Sequence, residues 1–338
     1  MPRARSIAAL AAAAAGLGAG IVAERSAVRR RRRNDPEAAE RYGTRRGERS
    51  RVLELEDGAR LAVEEVGPAE ARSGVVFVHG SCLRTDVWHY QMPGIDGRRL
   101  IFYDLRGHGL SQPKGDTDFS VRTLAGDLAR VIEDAGLEEV VVVGHSVGGM
   151  AALQFALDHE RDQGTSIKGL VLLNTTYRPA VETLVGGAAV ARVERLARRP
   201  LDVIGKRADY VERLRKIIKP SDAVFWTVAL AGFGPGASAK QIDFTYDMLA
   251  ETPADVIFDL IRSYRDFDVR DRLDEVGVPA LVVGGTHDRI TVSSASDYLA
   301  RNLPKAELVM LERCGHMSML ERHREVNRQI AAFCANVL

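Results

Sequence analysis

Short apolar runs recur along the chain at regular intervals, and each is followed by a longer stretch with helical spacing. The runs Val75 to Val78, Leu100 to Tyr103, Val140 to Val143, Leu170 to Leu173, Ala280 to Val283 and Leu308 to Leu311 carry no charge. Runs of that length and composition predict strands buried on both faces. Between and after them, Val121 to Ala135, Met150 to His159, Ser293 to Asn302 and Glu325 to Val337 predict helices. Upstream, Arg51 to Leu55 and Leu61 to Val66 flank Asp57-Gly58, the signature of a hairpin. Strands alternating with helices imply a mostly parallel sheet covered on both sides, the α/β class. The interval Tyr177 to Phe267 breaks the rhythm, with helical runs and no strong strand. It is expected as a helical insertion, giving a core of residues 48–176 and 268–338 with a cap of residues 177–267.

The N-terminus follows a different pattern. Ile7 to Ala23 is apolar and uncharged, and Arg29 to Arg33 follow it as an unbroken run. As a helix the apolar run would span roughly 26 Å, short of a hydrocarbon core of about 30 Å. Three readings compete: a membrane anchor, an export signal and an Ala-rich tail. The heavier arginine flank favours the first, with attachment through residues 7–33 and the rest on the cytoplasmic side of the cell membrane. Asn34 to Gly47 is polar and charged and is expected as a linker. The expectation follows that a chain starting near Asn34 folds and functions.

Composition narrows the picture only a little. Of 338 residues, 46% are apolar and 28% charged, with a net charge of +1, so no global charge points to nucleic acid. Three cysteines, Cys82, Cys314 and Cys334, form neither a metal spacing nor a disulfide framework. No dinucleotide fingerprint or P-loop is present, and no cofactor is expected.

The chemistry lies at the strand ends. Gly144-His145-Ser146-Val147-Gly148 stands between a predicted strand and a predicted helix. In that setting G-x-S-x-G describes a nucleophile elbow, a tight turn that projects the serine beyond the sheet. The flanking glycines remove side chains that would collide, and the helix that follows aims free N–H groups at the same point. A serine hydroxyl needs a base. Among the histidines, His316, in Arg313-Cys314-Gly315-His316, follows the last strand and is the candidate. His79, His108 and His145 adjoin glycines in turns, where structural roles are expected. Asp288, in Gly284-Gly285-Thr286-His287-Asp288, follows the preceding strand and is the candidate acid. Asn174 fills the alternative acid position and cannot hold the charge. The backbone N–H groups of Ser81, in His79-Gly80-Ser81-Cys82, and of Val147 are candidates for stabilising a developing oxyanion.

Taken together, His79-Gly80 with Trp88 downstream, the segment Asp104-Leu105-Arg106-Gly107-His108-Gly109-Leu110-Ser111, the Ser146 elbow, Asp288 and Gly315-His316 resemble the α/β-hydrolase family, in its serine esterase, lipase and cofactor-free haloperoxidase-like branch. The resemblance runs from about residue 51 to the C-terminus. It implies an eight-stranded, mostly parallel sheet with helices on both faces and a helical cap inserted after the sixth strand. Ser81-Cys82 departs from the aromatic or glycine usual after His-Gly. Thr291 and Arg322-His323 stand where similar sequences often have proline, a difference expected to touch surface loops only. The activity implied is acyl transfer on a small-molecule ester with an apolar acyl or alcohol part. C–C bond hydrolysis, lactone or thioester cleavage and peroxyacid formation use the same parts. A slow-turnover ligand sensor is an alternative of another class. The cap aromatics Phe225, Trp226, Phe233, Phe244, Tyr246 and Phe258 are expected mainly to pack within the cap.

Overall fold

The computed structural model describes residues 24–95, 97–115, 117–159, 165–183 and 222–338. Its centre is one eight-stranded sheet in the order β1-β2-β4-β3-β5-β6-β7-β8. The strands are β1 (Arg49–Glu54), β2 (Arg60–Val66), β3 (Ser73–Val78), β4 (Arg99–Tyr103), β5 (Glu139–His145), β6 (Ser166–Leu173), β7 (Ala280–Gly285) and β8 (Ala306–Leu311). The first two pair antiparallel as a hairpin, β2 joins β4 antiparallel, and every later pairing is parallel. Order reverses between β3 and β5, where open α/β sheets hold their ligands.

Except for Leu308 to Leu311 on the edge strand β8, where Leu308 is exposed, the apolar runs are buried on both faces because successive side chains go to opposite layers. Val76, Val78, Ile101, Val140, Val142 and Leu170 pack with α1 (Val121–Asp134) and α2 (Val147–His159). Val75, Phe77, Leu100, Phe102, Val141 and Val143 face the other way. They pack with Trp88 and with the last helix, His323–Val337, through Val326 and Ile330. Helix α2 begins at Val147, three residues before the apolar pattern suggests. Gly148 and Gly149 form its first turn because it presses on its neighbours. A Cβ on Gly148 would overlap the carbonyls of Val78 and His79, and one on Gly149 would overlap Thr175.

Between β6 and β7 the described chain is helical, with α3 (Asp222–Gly232), α4 (Ala239–Glu251) and α5 (Ala254–Ser263) as its main elements. Phe225, Phe233 and Phe244 are buried in the same cluster as Trp88, and Trp226 and Tyr246 pack against it. These aromatics serve packing.

The N-terminal arm departs from expectation. Among the described residues no helix is long and apolar enough to cross a membrane, and Ile7 to Ala23 lies outside them. Residues 24–33 are helical, and Val28 is wholly buried in the second cluster. Arg31 donates to the Ala237 carbonyl at 2.8 Å, and its guanidinium lies over Phe225 and Trp226. Arg32 grips Asp243 through two bonds of 2.9 and 2.8 Å. Two of the run's arginines thus hold helices of the insertion.

Asn34 to Gly47 is not a free linker either. Asp35 caps α4 through the Lys240 amide, and Glu37 accepts from Gln241. Tyr42 stacks on Phe244 and meets Tyr90 edge-on, and Arg46 pairs with Asp86. Polar composition hid the packing because the partners are themselves polar or aromatic and lie far away in sequence.

A chain cut at Asn34 therefore loses part of the packed domain. It should unfold at lower urea concentration than one starting at Glu24. Val28→Ala in the full chain should cost about 2 kcal/mol. Arg32→Ala should cost less than about 1 kcal/mol, because its pair is partly exposed. Urea titrations of these proteins and of the unaltered full chain test this ranking.

Candidate active site

The elbow forms where β5 turns into α2. Ser146 has φ +53°, in the left-handed region that a residue with a side chain adopts only under constraint. The constraint is visible. The Ser146 amide donates to the Leu173 carbonyl at 3.1 Å, and Thr175 Oγ1 donates to the Ser146 carbonyl at 2.6 Å. A Cβ on Gly144 would overlap the backbone of Gly148 and Gly149. The two glycines of the motif are required by this close approach. Ser146 is half-buried, and its Oγ makes no hydrogen bond among the described residues.

Asp288 and His316 meet directly, at 2.9 Å between Oδ2 and Nδ1. Asp288 follows β7 and His316 follows β8, so parallel neighbours carry both to the same sheet edge. Both are buried. Two residues that the sequence reading set aside support the carboxylate. Asn174, at the end of β6 with φ +46°, donates from Nδ2 to Asp288 Oδ2 at 2.9 Å and to the Gly315 carbonyl at 3.1 Å. Thr291 donates from Oγ1 to Oδ2 at 2.8 Å, and its amide donates to Oδ1 at 2.9 Å. The Ile290 amide adds a bond of 2.8 Å to Oδ1. Burial pushes the Asp288 carboxyl up, yet His316 and these donors bring it below the ordinary aspartate range. Thr291 is therefore no surface-loop substitution. A proline there would supply neither the hydroxyl nor the N–H.

His145 has a positioning part that sequence did not reveal. Its Nε2–H donates to the His316 carbonyl at 3.0 Å, and the two rings lie 4.7 Å apart between centroids. Burial, with His316 alongside, holds His145 neutral. The insertion also reaches His316. The amides of His316 and Met317 both donate to the Gly232 carbonyl at the end of α3. Glu321, whose carboxyl burial raises to about 7, accepts from the amides of Gly234 and Gly315.

The turn after β3 lies against the elbow. A Cβ on Gly80 would come within 2.6 Å of His145 Nδ1 and 3.1 Å of Ser146 Cβ. The amides of Ser81 and Val147 have no acceptor among the described residues. His79 and His108 brace this turn from behind. His79 Nε2 accepts from the Leu105 amide at 2.9 Å, and His108 Nε2 accepts from the Cys82 amide at 3.0 Å. Burial lowers both imidazoles to about 4, which keeps those acceptor nitrogens free of protons at neutral pH. Asp104 accepts from Thr85 and Leu110, while Arg106 is paired with Asp127 and Asp57. The segment Asp104 to Ser111 is thus scaffold for the turn.

A cavity of about 230 Å³ adjoins the turn, between Leu83 and Gly107 on the core and Met248, Thr252 and Val256 on the insertion. A larger cleft of about 620 Å³, walled by Asp118, Asp255, Asp259 and Asp266, includes none of Ser81, Ser146, Asp288 and His316. Among the described residues no group of histidine, cysteine or carboxylate side chains could hold a metal ion.

Residues 75–323 match the family model described as alpha/beta hydrolase fold. An AB hydrolase superfamily protein of Bacillus subtilis, YisY, is 28% identical over 290 residues, covering 83% of this chain and 97% of that protein. A 2-hydroxy-6-oxononadienedioate/2-hydroxy-6-oxononatrienedioate hydrolase of Burkholderia vietnamiensis is 25% identical over 313 residues, covering 82% and 93%. The solved esterase EaEST of Exiguobacterium antarcticum superposes with TM-score 0.67 at 21% identity, covering 84% of this chain and 99% of that one. With that sheet order and a family match over most of its length, the chain belongs to the alpha/beta hydrolases.

Proposed function

We propose that the protein is a serine hydrolase that cleaves carboxylic esters by acyl transfer, with Ser146 as nucleophile, His316 as base and Asp288 as its orienting acid. The observation that carries this reading is the buried Asp288–His316 pair on the sheet edge where Ser146 is held at positive φ. The Asp288 bond fixes the proton of His316 on Nδ1 and leaves Nε2 to take the proton of Ser146. Ser146 Oγ attacks the carbonyl carbon, and the negative oxygen that forms is met by the amides of Ser81 and Val147. His316 then gives its proton to the departing alcohol. A water molecule, deprotonated by the same nitrogen, releases the acid and restores Ser146. The helical insertion acts as the cap that shapes the acyl and alcohol sites.

Ser146→Ala and His316→Ala should each lower kcat/KM on an aryl ester by roughly 10³-fold or more, with unchanged unfolding curves. Asp288→Asn should lower it by roughly 10²- to 10⁴-fold. A fluorophosphonate should label the wild-type chain at Ser146 and not the alanine variant. Full turnover by Ser146→Ala sinks the mechanism.

A pH effect follows from the donors on Asp288. Thr291→Val removes one of the donors that hold its carboxyl below the ordinary aspartate range. Activity that needs the ionised carboxylate should therefore be lost at a higher pH in the variant than in the wild type as the solution is acidified. Loss at the same pH in both assigns Thr291 to loop packing alone.

A further inference from the structure

Ser81 carries a second polar group beside its amide. Its Oγ accepts a hydrogen bond of 2.6 Å from the phenol of Tyr264. Tyr264 is the C-cap of α5, so the bond runs from the helical insertion to the turn beside the elbow. Burial raises the Tyr264 hydroxyl above its ordinary range and keeps it a donor. With Tyr264 giving, the proton of Ser81 is left to be given in turn. Its one other partner is Cys82 Sγ at 3.8 Å, and a thiol sulfur is a weak acceptor. Ser81 is half-buried, and the adjoining Gly80 lies against Ser146. A polarised O–H therefore stands in the turn beside the elbow with no strong acceptor of its own.

We propose that Ser81 and Tyr264 form a specificity site for acyl groups that carry a second oxygen acceptor on the carbon next to the scissile carbonyl. This rests on the acyl-transfer reading above, with the Ser81 amide as an oxyanion donor. The amide nitrogen and Oγ of one serine are about 3 Å apart. If the scissile oxygen faces the amide, the atom that meets Oγ–H lies only a bond or two further along the acyl chain. A 2-oxo, 2-hydroxy or 2-alkoxy oxygen sits there, whereas a plain alkyl chain offers that hydroxyl nothing. Tyr264 is the positioning residue: it occupies one lone pair of Ser81 and turns the Ser81 proton toward the substrate. The pair also accounts for serine at a position where similar sequences carry an aromatic residue or glycine.

The test uses the full chain and two 4-nitrophenyl esters of matched length, methoxyacetate and butanoate. The quantity read is the ratio of their kcat/KM values. Comparing variants with wild type cancels the esters' different intrinsic reactivity. Ser81→Ala should lower the ratio about 10-fold, and Tyr264→Phe, which keeps the ring, about 3-fold. Ser81→Thr keeps a hydroxyl and should hold the ratio within about 3-fold of wild type. Fluorophosphonate labelling of Ser146 in each variant reports an intact nucleophile. A ratio unchanged in labelled Ser81→Ala and Tyr264→Phe, or equal losses on both esters, overturns the proposal and reduces the bond to a tie between insertion and core. Wild-type chain that neither labels nor hydrolyses either ester overturns the acyl-transfer reading itself, and the two failures are thereby told apart.

Discussion

A carboxylate at the edge of this sheet is kept ionised almost without water. Asp288 is 4% exposed, and removing an ion from water costs several kcal/mol unless hydrogen bonds replace the solvent. Asn174, Thr291, Ile290 and His316 replace it, and they come from the ends of three neighbouring parallel strands and the loop between two of them. The depressed carboxyl shows which effect wins. Much else is arranged around that requirement. Asn174 must take a left-handed backbone to present its amide, and the same amide fixes the carbonyl of Gly315 just before His316.

The insertion is part of this arrangement rather than a lid laid over it. Gly232 accepts the amides of His316 and Met317, Glu321 links Gly315 to Gly234, and Tyr264 reaches Ser81. Each of these contacts joins a polar group of the insertion to a loop that carries a candidate catalytic group. A shift of the insertion would therefore move His316 and the turn at Ser81 together. From behind, the N-terminal arm braces the same helices through Val28, Arg31, Arg32 and Tyr42.

What the sequence made legible is what local pattern dictates. Uncharged runs such as Val140 to Val143 located the strands, because burial on both faces leaves no polar position. The G-x-S-x-G turn was legible because strand, turn and helix are contiguous, and its glycines answer to clashes within that turn and with β3. Asp288 and His316 could be chosen because parallel strands deliver their following loops to one edge. Thr291, Asn174, His145 and Tyr264 were not legible. Each acts through a hydrogen bond to a residue fixed only by the fold, and threonine, asparagine and tyrosine are ordinary loop residues. The arm misled for the opposite reason. Its charges suggested a membrane flank and a linker, but its partners Asp222, Asp243 and Asp86 carry opposite charge and lie far along the chain.

The two sides of the site are built on different physics. On the acid side the donors around the Asp288 carboxylate are committed, so Asp288 and His316 have little freedom to rearrange. On the turn side the commitments stop short. His79, His108 and Asp104 satisfy the scaffold around Ser81 and fix where its backbone lies. The amides of Ser81 and Val147 and the proton of Ser81 are left without strong acceptors among the described residues. Donors held rigidly but left unsatisfied have already met the cost of orientation, and they gain most when a negative oxygen forms between them. In the proposed reaction, the bracing that looks purely structural is thus what would make those donors available to a substrate.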